Sequence, residues 1–192
     1  VSDSRSSIHR HHRRLGLLAT ELDRLRKTLP PRERLIVGLM QAVRVGAGAT
    51  LGYFAARAVG LDQGFWAAIT AISVTQNSFA EVKNSSRDQF IGAIFGGLLG
   101  LTAAALGDDH YLFYLIAVMF GTLLCWLINL GAAGRISSVT TTIIMLVPHT
   151  GPFWQIALLR LGEVMIGAMA ALLVTWLVDR LASRLGFNEP IH

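Results

Sequence analysis

From Tyr111 to Leu130 the chain runs without a charged residue. A water-facing helix cannot sustain that, because a soluble amphipathic helix interleaves its charges at the 3.6-residue period to make a wet face. A run of about 20 apolar residues is what a helix needs to cross the hydrocarbon core of a bilayer. Similar runs lie on either side, and together they predict helices over residues 35–59, 65–78, 89–106, 111–130, 136–147 and 153–178. Polar or Pro/Gly punctuation separates them: Pro30-Pro31, a polar break from Glu81 to Asp88, Gly107-Asp108-Asp109-His110, a tight connection from Gly131 to Arg135, then Pro148, Gly151 and Pro152. The expectation is an all-α, polytopic transmembrane helix bundle of about six spans. The second and fifth helices are short for a span, which tilt or local thinning could accommodate. A basic N-terminal segment (1–34) would precede a transmembrane module (35–181) and a short tail (182–192).

The two halves show a faint echo. Thr70-Ala71-Ile72-Ser73 leads to Arg87 and then Gly92-Ala93; Thr142-Ile143-Ile144-Met145 leads to Arg160 and then Gly167-Ala168. Three spans per half is the arithmetic of an inverted 3+3 repeat, an arrangement common in transporters.

Composition supports the bilayer over a soluble core. In 192 residues, 53% are hydrophobic and 15% charged, against nearer a quarter charged in soluble domains. The net charge of +5 comes from arginines concentrated outside the apolar runs, so it reads as a topology signal and gives no case for nucleic acid. Lys83, Arg87, Arg135, Arg180 and Arg184 fall on the same side as the basic leader. The opposite connections hold Asp62, Asp108 and Asp109 and no Lys or Arg. Both termini are therefore expected in the cytoplasm, with the module in the inner (plasma) membrane. Arg57 and Arg160 depart from the rule, and snorkelling could excuse Arg57. No cleavable leader is expected.

In the leader, Leu15, Leu18, Leu22, Leu25 and Leu29 recur at helical spacing among arginines. This suits either an amphipathic helix on anionic lipid or a solvated arm. His9, His11 and His12 sit among positive charges, which opposes metal binding. Cys125 is alone, so a disulfide framework and a cysteine metal cluster are both excluded. There is no nucleophile–base–acid set, metal-ligand spacing or nucleotide motif. No enzyme activity and no cofactor are expected.

Buried charge is the most informative chemistry. A lone charge at the bilayer centre costs on the order of 2.5–3.5 kcal/mol on insertion scales, so such groups face the protein interior and find partners. Arg44 sits about two turns into the first helix. Arg160 and Glu163 lie three apart on one face of the sixth. An inward arginine offers a forked donor to a substrate carboxylate, and Glu163 is a candidate proton carrier. Structural pairing, of Arg160 or Arg44 with Glu163, is the alternative use. Thr75, Gln76, Asn77 and Ser78 end the short second helix, where freed backbone groups could meet a ligand or simply form a surface loop. Trp66 suits an interfacial anchor or a stacking surface for an aromatic ring. Gly48-xxx-Gly52, Gly92-xxx-Gly96 and Gly96-xxx-Gly100 allow close helix packing, within one protomer or across a dimer seam.

The segment Phe65-Trp66-Ala67-Ala68-Ile69-Thr70-Ala71, followed after a polar turn by Ser86-Arg87-Asp88-Gln89-Phe90-Ile91-Gly92-Ala93-Ile94-Phe95-Gly96-Gly97, resembles the aromatic acid exporter family, also called fusaric acid resistance-like. Arg160-Leu161-Gly162 through Gly167-Ala168 is similar to a related Arg/Gly segment near the end of that module. The resemblance covers roughly residues 35–181. It implies a six-helix membrane module exporting small organic anions, aromatic carboxylic acids above all, coupled to proton influx. It also implies a homodimer or assembly with a partner subunit, since larger members carry a cytoplasmic domain. Arg87 matches the arginine that opens the family's third helix. The expected substrate-binding residues are thus Arg160, Glu163, Arg44, Arg87, Gln76, Asn77 and Trp66, with membrane lipids as the other partner. The rival expectation is a non-transporting scaffold, or a subunit of a larger transport assembly, whose buried charges only lock helices together.

Overall fold

The structure, a computed structural model, describes residues 31–106, 111–148 and 151–184. The leader helix, the histidine patch, the connection at 107–110 and the end of the tail lie outside those residues. Among the described residues there are six α-helices: α1 (Pro31–Ala58), α2 (Phe65–Val74), α3 (Phe79–Leu106), α4 (Tyr111–Leu127), α5 (Gly131–Leu146) and α6 (Phe153–Arg184). The chain divides into two compact units between Met40 and Gln41. Of the first, the described part is the opening of α1, with Leu35, Ile36, Val37 and Leu39 exposed. The second unit holds everything below.

The about six spans expected are corrected to three. Among the described residues only α1 (over Arg34–Ala58), α3 and α6 are long and apolar enough to cross a bilayer. The ten residues of α2 rise roughly 15 Å and the seventeen of α4 roughly 26 Å, against a hydrocarbon core of about 30 Å. Polar Arg135, Ser137, Ser138 and Thr140 to Thr142 interrupt the apolar character of α5. The inverted 3+3 reading depended on six spans and goes with that count.

Local chemistry explains where the helices stop. α2 ends at Val74 because Thr75 turns to extended backbone (φ −66°, ψ 118°) and its hydroxyl donates to the Ala71 carbonyl at 2.6 Å. The polar break expected at Glu81 to Asp88 is helical instead. Ser78 caps α3, its Oγ accepting from the Glu81 backbone N–H at 3.3 Å, in the Ser-x-x-Glu spacing of a capping box. α1 terminates where Gly60 adopts φ 84° and the Leu61 N–H reaches back to the Ala56 carbonyl at 3.0 Å, a Schellman-type ending. At the end of α4, Asn129 takes the same left-handed role (φ 61°), with Leu130 N–H to Cys125 O at 2.8 Å. That turn sits ahead of Gly131, so Gly131 to Arg135, expected as a connection, form the first turns of α5.

Packing runs through small residues. α2 lies along α6 and α5 lies along α3. A Cβ added at Gly167 would overlap the Ala67 carbonyl oxygen, and one at Gly96 the carbonyl oxygen of Ser137. Gly92 meets Ala133 and Ile136, and Gly100 meets Ile144. Thr141 crosses the second seam to donate to the Gly96 carbonyl at 3.1 Å. Gly52 sits against Ala67 of α2, and Gly48 against Ala171 of α6. The glycine pairs therefore pack helices within the protomer. A core of Ala71, Val74, Val82 and Ala171 joins α2, α3 and α6. Large side chains point the other way: Leu112, Ile116, Met119, Phe120, Leu123 and Trp126 on α4 are all exposed. With lipid as the solvent these need no burial, and small residues rather than large ones hold the interior together.

Candidate functional site

α6 places two ionisable groups on its inward face. Arg160 and Glu163 are 6% and 5% exposed, and at a spacing of three they share a face. The contact is loose, with Arg160 Nη1 3.7 Å from Glu163 Oε2. Nε and Nη1 of Arg160 are buried and have no hydrogen-bond partner among the described residues. Beneath the guanidinium lies Trp66, from the first turn of α2, with its ring centroid 4.9 Å from Arg160 Cζ, within cation–π range. Trp66 is fixed in turn by its indole N–H, which donates to Gln63 Oε1 at 2.9 Å.

These groups open on a pocket of about 290 Å3 at one end of the helices. Gly60 to Gln63 of the α1–α2 loop, the end of α5 (Ile143, Val147, Pro148) and the start of α6 (Gln155, Ile156, Leu159) complete its walls. The lining therefore combines apolar walls with one arginine fork, two amides and the carboxylates of Asp62 and Glu163. An uncommitted guanidinium beside an aromatic face can take a planar carboxylate through two parallel N–H donors.

A second charged group lies elsewhere. Arg44, 2% exposed, donates through Nη2 to Asp179 Oδ1 at 2.6 Å and through Nη1 to the Asn77 carbonyl at 2.9 Å. Asp179 follows Glu163 on α6 by roughly 24 Å of helix, so the two arginines serve opposite ends of that helix.

The expected site residues thus fall into three groups. Arg160, Glu163 and Trp66 come together at the pocket. Arg44 and Asn77 meet at the other end, where Arg44 pairs with Asp179 and not with Glu163. Gln76 is exposed just beyond α2. Arg87 is exposed and stands apart, in an open groove with Asn84, Asp88 and the turn at Asn129 to Ala132. Asp179, Gln63 and Gln155 are contributors that pattern reading missed. Asp179 is 135 positions from Arg44, and only its place at the end of a long apolar run hinted at a use.

Three long apolar helices, an outer surface of large apolar side chains and a charged pocket at one end define a multi-pass helical membrane protein. The sequence pattern of the fusaric acid resistance protein-like family matches residues 50–174, well over half of the chain. The protein belongs to that family, a transport class rather than an enzyme class. No cluster of His, Cys, Asp and Glu among the described residues is placed to hold a metal ion. No curated protein and no solved structure matches the chain.

Proposed function

We propose that the protein exports small organic anions, aromatic carboxylic acids foremost, and that a proton gradient drives the export. The observation that carries this reading is the Arg160 guanidinium, unpaired at Nε and Nη1 among the described residues, over Trp66 in the lining of an apolar-walled pocket. A carboxylate would take an edge of the guanidinium, and the body of the anion would rest against Leu61, Ile143, Val147 and Leu159. The volume lies at the lower edge of the roughly 300–1,000 Å3 usual for small-molecule sites, which suits a single ring. Glu163 leaves the pocket without a large excess of positive charge, so the anion is held weakly enough to leave again. The distribution of Lys83, Arg87, Arg135, Arg180 and Arg184 supports an inner-membrane location with the end of the bundle that carries them in the cytoplasm. The pocket then faces outward, as a release site for an exporter.

The test is uptake of labelled 4-hydroxybenzoate by inverted membrane vesicles under an imposed proton gradient. Accumulation above empty-vector vesicles, lost in Arg160→Ala at equal protein level, is the expected result. No accumulation across a panel of aromatic acids, with folded protein present, overturns it. The rival reading, a scaffold or a subunit of a larger transport assembly, draws on the tight Arg44–Asp179 pair, which ties α1 to α6 whether or not anything is transported.

A further inference from the structure

The two arginine–carboxylate pairs on α6 are built differently, and the difference bears on which arginine an anion can reach. Arg160 is the less committed of the two: its carboxylate stands 3.7 Å off, and two of its nitrogens have no hydrogen-bond partner among the described residues. Arg44 is engaged on both of its terminal nitrogens, by Asp179 at 2.6 Å and the Asn77 carbonyl at 2.9 Å. An incoming carboxylate would have to take the place of Asp179.

Two observations make that displacement reasonable. The Asp179 side chain is 36% exposed while that of Arg44 is 3% exposed, so the acid can leave toward water without moving the buried arginine. The other partner, Asn77, belongs to the non-helical stretch after α2, where the chain turns extended at Thr75, so it is not locked in a helical ladder. Arg180 turns onto the ring of Trp176, 5.2 Å from its centroid, and Glu81 and Lys83 at the start of α3 are exposed.

We propose that Arg44 is a second anion station, at the end of α6 remote from the pocket, and that Asp179 occupies it in this conformer as an internal stand-in for the carboxylate of the transported anion. The same chemistry that recognises the substrate at Arg160 then holds the remote end shut: Arg44 ties α1, the segment after α2 and α6 together until an anion takes the place of Asp179. The inference rests on the proposed transport of carboxylates and adds to it a residue, Asp179, and an order of events. The remote end opens when a substrate carboxylate arrives there.

The experiment reads opening directly. Thr75 is 6% exposed and lies beside Gly48, one turn beyond Arg44. Thr75→Cys is made in a Cys125→Ser background and labelled with a membrane-impermeant maleimide. Labelling is measured alone, with millimolar benzoate, and with benzyl alcohol as the uncharged control. Benzoate should speed labelling severalfold and benzyl alcohol should not. Asp179→Asn should speed it about tenfold without any anion. Labelling indifferent to benzoate overturns the proposal and leaves the pair a fixed brace, and this arm keeps Asp179 intact, so a poorly folding Asp179→Asn variant does not decide it. The benzoate response is independent of vesicle uptake. Uptake that needs Arg160 together with an indifferent Thr75→Cys rejects the second station alone; absent uptake rejects the transport reading.

Discussion

Arg160 lies over the face of Trp66, 4.9 Å from Cζ to the ring centroid, while its Nε and Nη1 remain without hydrogen-bond partners among the described residues. The ring holds the guanidinium by its face and leaves its edge to a ligand. A cation–π contact is worth about 0.5–2 kcal/mol depending on desolvation, enough to set the orientation of the fork without using its donors. Trp66→Leu should raise the apparent KM for anion uptake roughly 2- to 30-fold, the same energy expressed as a ratio. Arg160→Lys should be nearly as damaging as Arg160→Ala, because an ammonium keeps the charge and loses the fork. Uptake kinetics in inverted vesicles check both, and a Lys variant with wild-type KM would remove the fork from the argument.

Glu163 competes with substrate for Arg160 at 3.7 Å. Glu163→Gln keeps its shape and removes its charge, so the anion should bind more tightly, with KM falling severalfold and release slowing. A double-mutant cycle on stability separates this role from a structural one. If Arg160→Ala and Glu163→Ala each cost more than the pair together, by upwards of about 1 kcal/mol, the two groups brace the helix. Little coupling in the melting temperatures, with strong effects on transport, is the expected outcome.

Gly96 and Gly167 sit where a methyl group has no room, each facing a carbonyl oxygen of the neighbouring helix. Alanine gains up to about 1 kcal/mol of helix propensity over glycine, whereas forcing packed elements apart costs roughly 1–3 kcal/mol, so the steric term wins. Gly96→Ala and Gly167→Ala should both lower the melting temperature of detergent-purified protein. Gly46→Ala, with nothing within 4 Å of the added carbon, should leave it unchanged or raise it. Equal behaviour of the three would mean that the close seams α3–α5 and α2–α6 carry no packing energy.

Arg87 is exposed in an open groove away from Arg160. Surface substitutions of that kind usually stay within about 0.5 kcal/mol. Arg87→Ala should preserve both folding and the KM for uptake, although the family pattern drew attention to it. A loss of uptake comparable to that of Arg160→Ala would put the groove on the anion's route.

The sequence made the helical content and the apolar runs legible because both are local properties. Arg160 and Glu163 could be paired on paper because a spacing of three already puts two side chains on one face. The count of spans failed because a run of apolar letters does not say where a helix stops. Thr75 ended α2 through its own hydroxyl, and the Ser78–Glu81 cap carried α3 back across a stretch whose charges read as a break, though the Ser-x-x-Glu spacing was visible. Arg44 with Asp179 was out of reach for another reason. That pair is made by the stacking of α1 on α6, and nothing near either residue names the other.

Ala67 and Gly167 touch across one hundred positions of chain, and this sets an order of assembly. α2 emerges from the ribosome with α1 for company, but the helix whose groove it fills is made much later. At 5–20 residues per second, its carbonyl-lined face waits roughly 5–20 s for Gly167 to arrive. The waiting segment is short and polar-ended, which leaves it the least committed part of the nascent chain. The pocket, lined by Trp66 of α2 and by an arginine from α6, can therefore form only once α6 has been made.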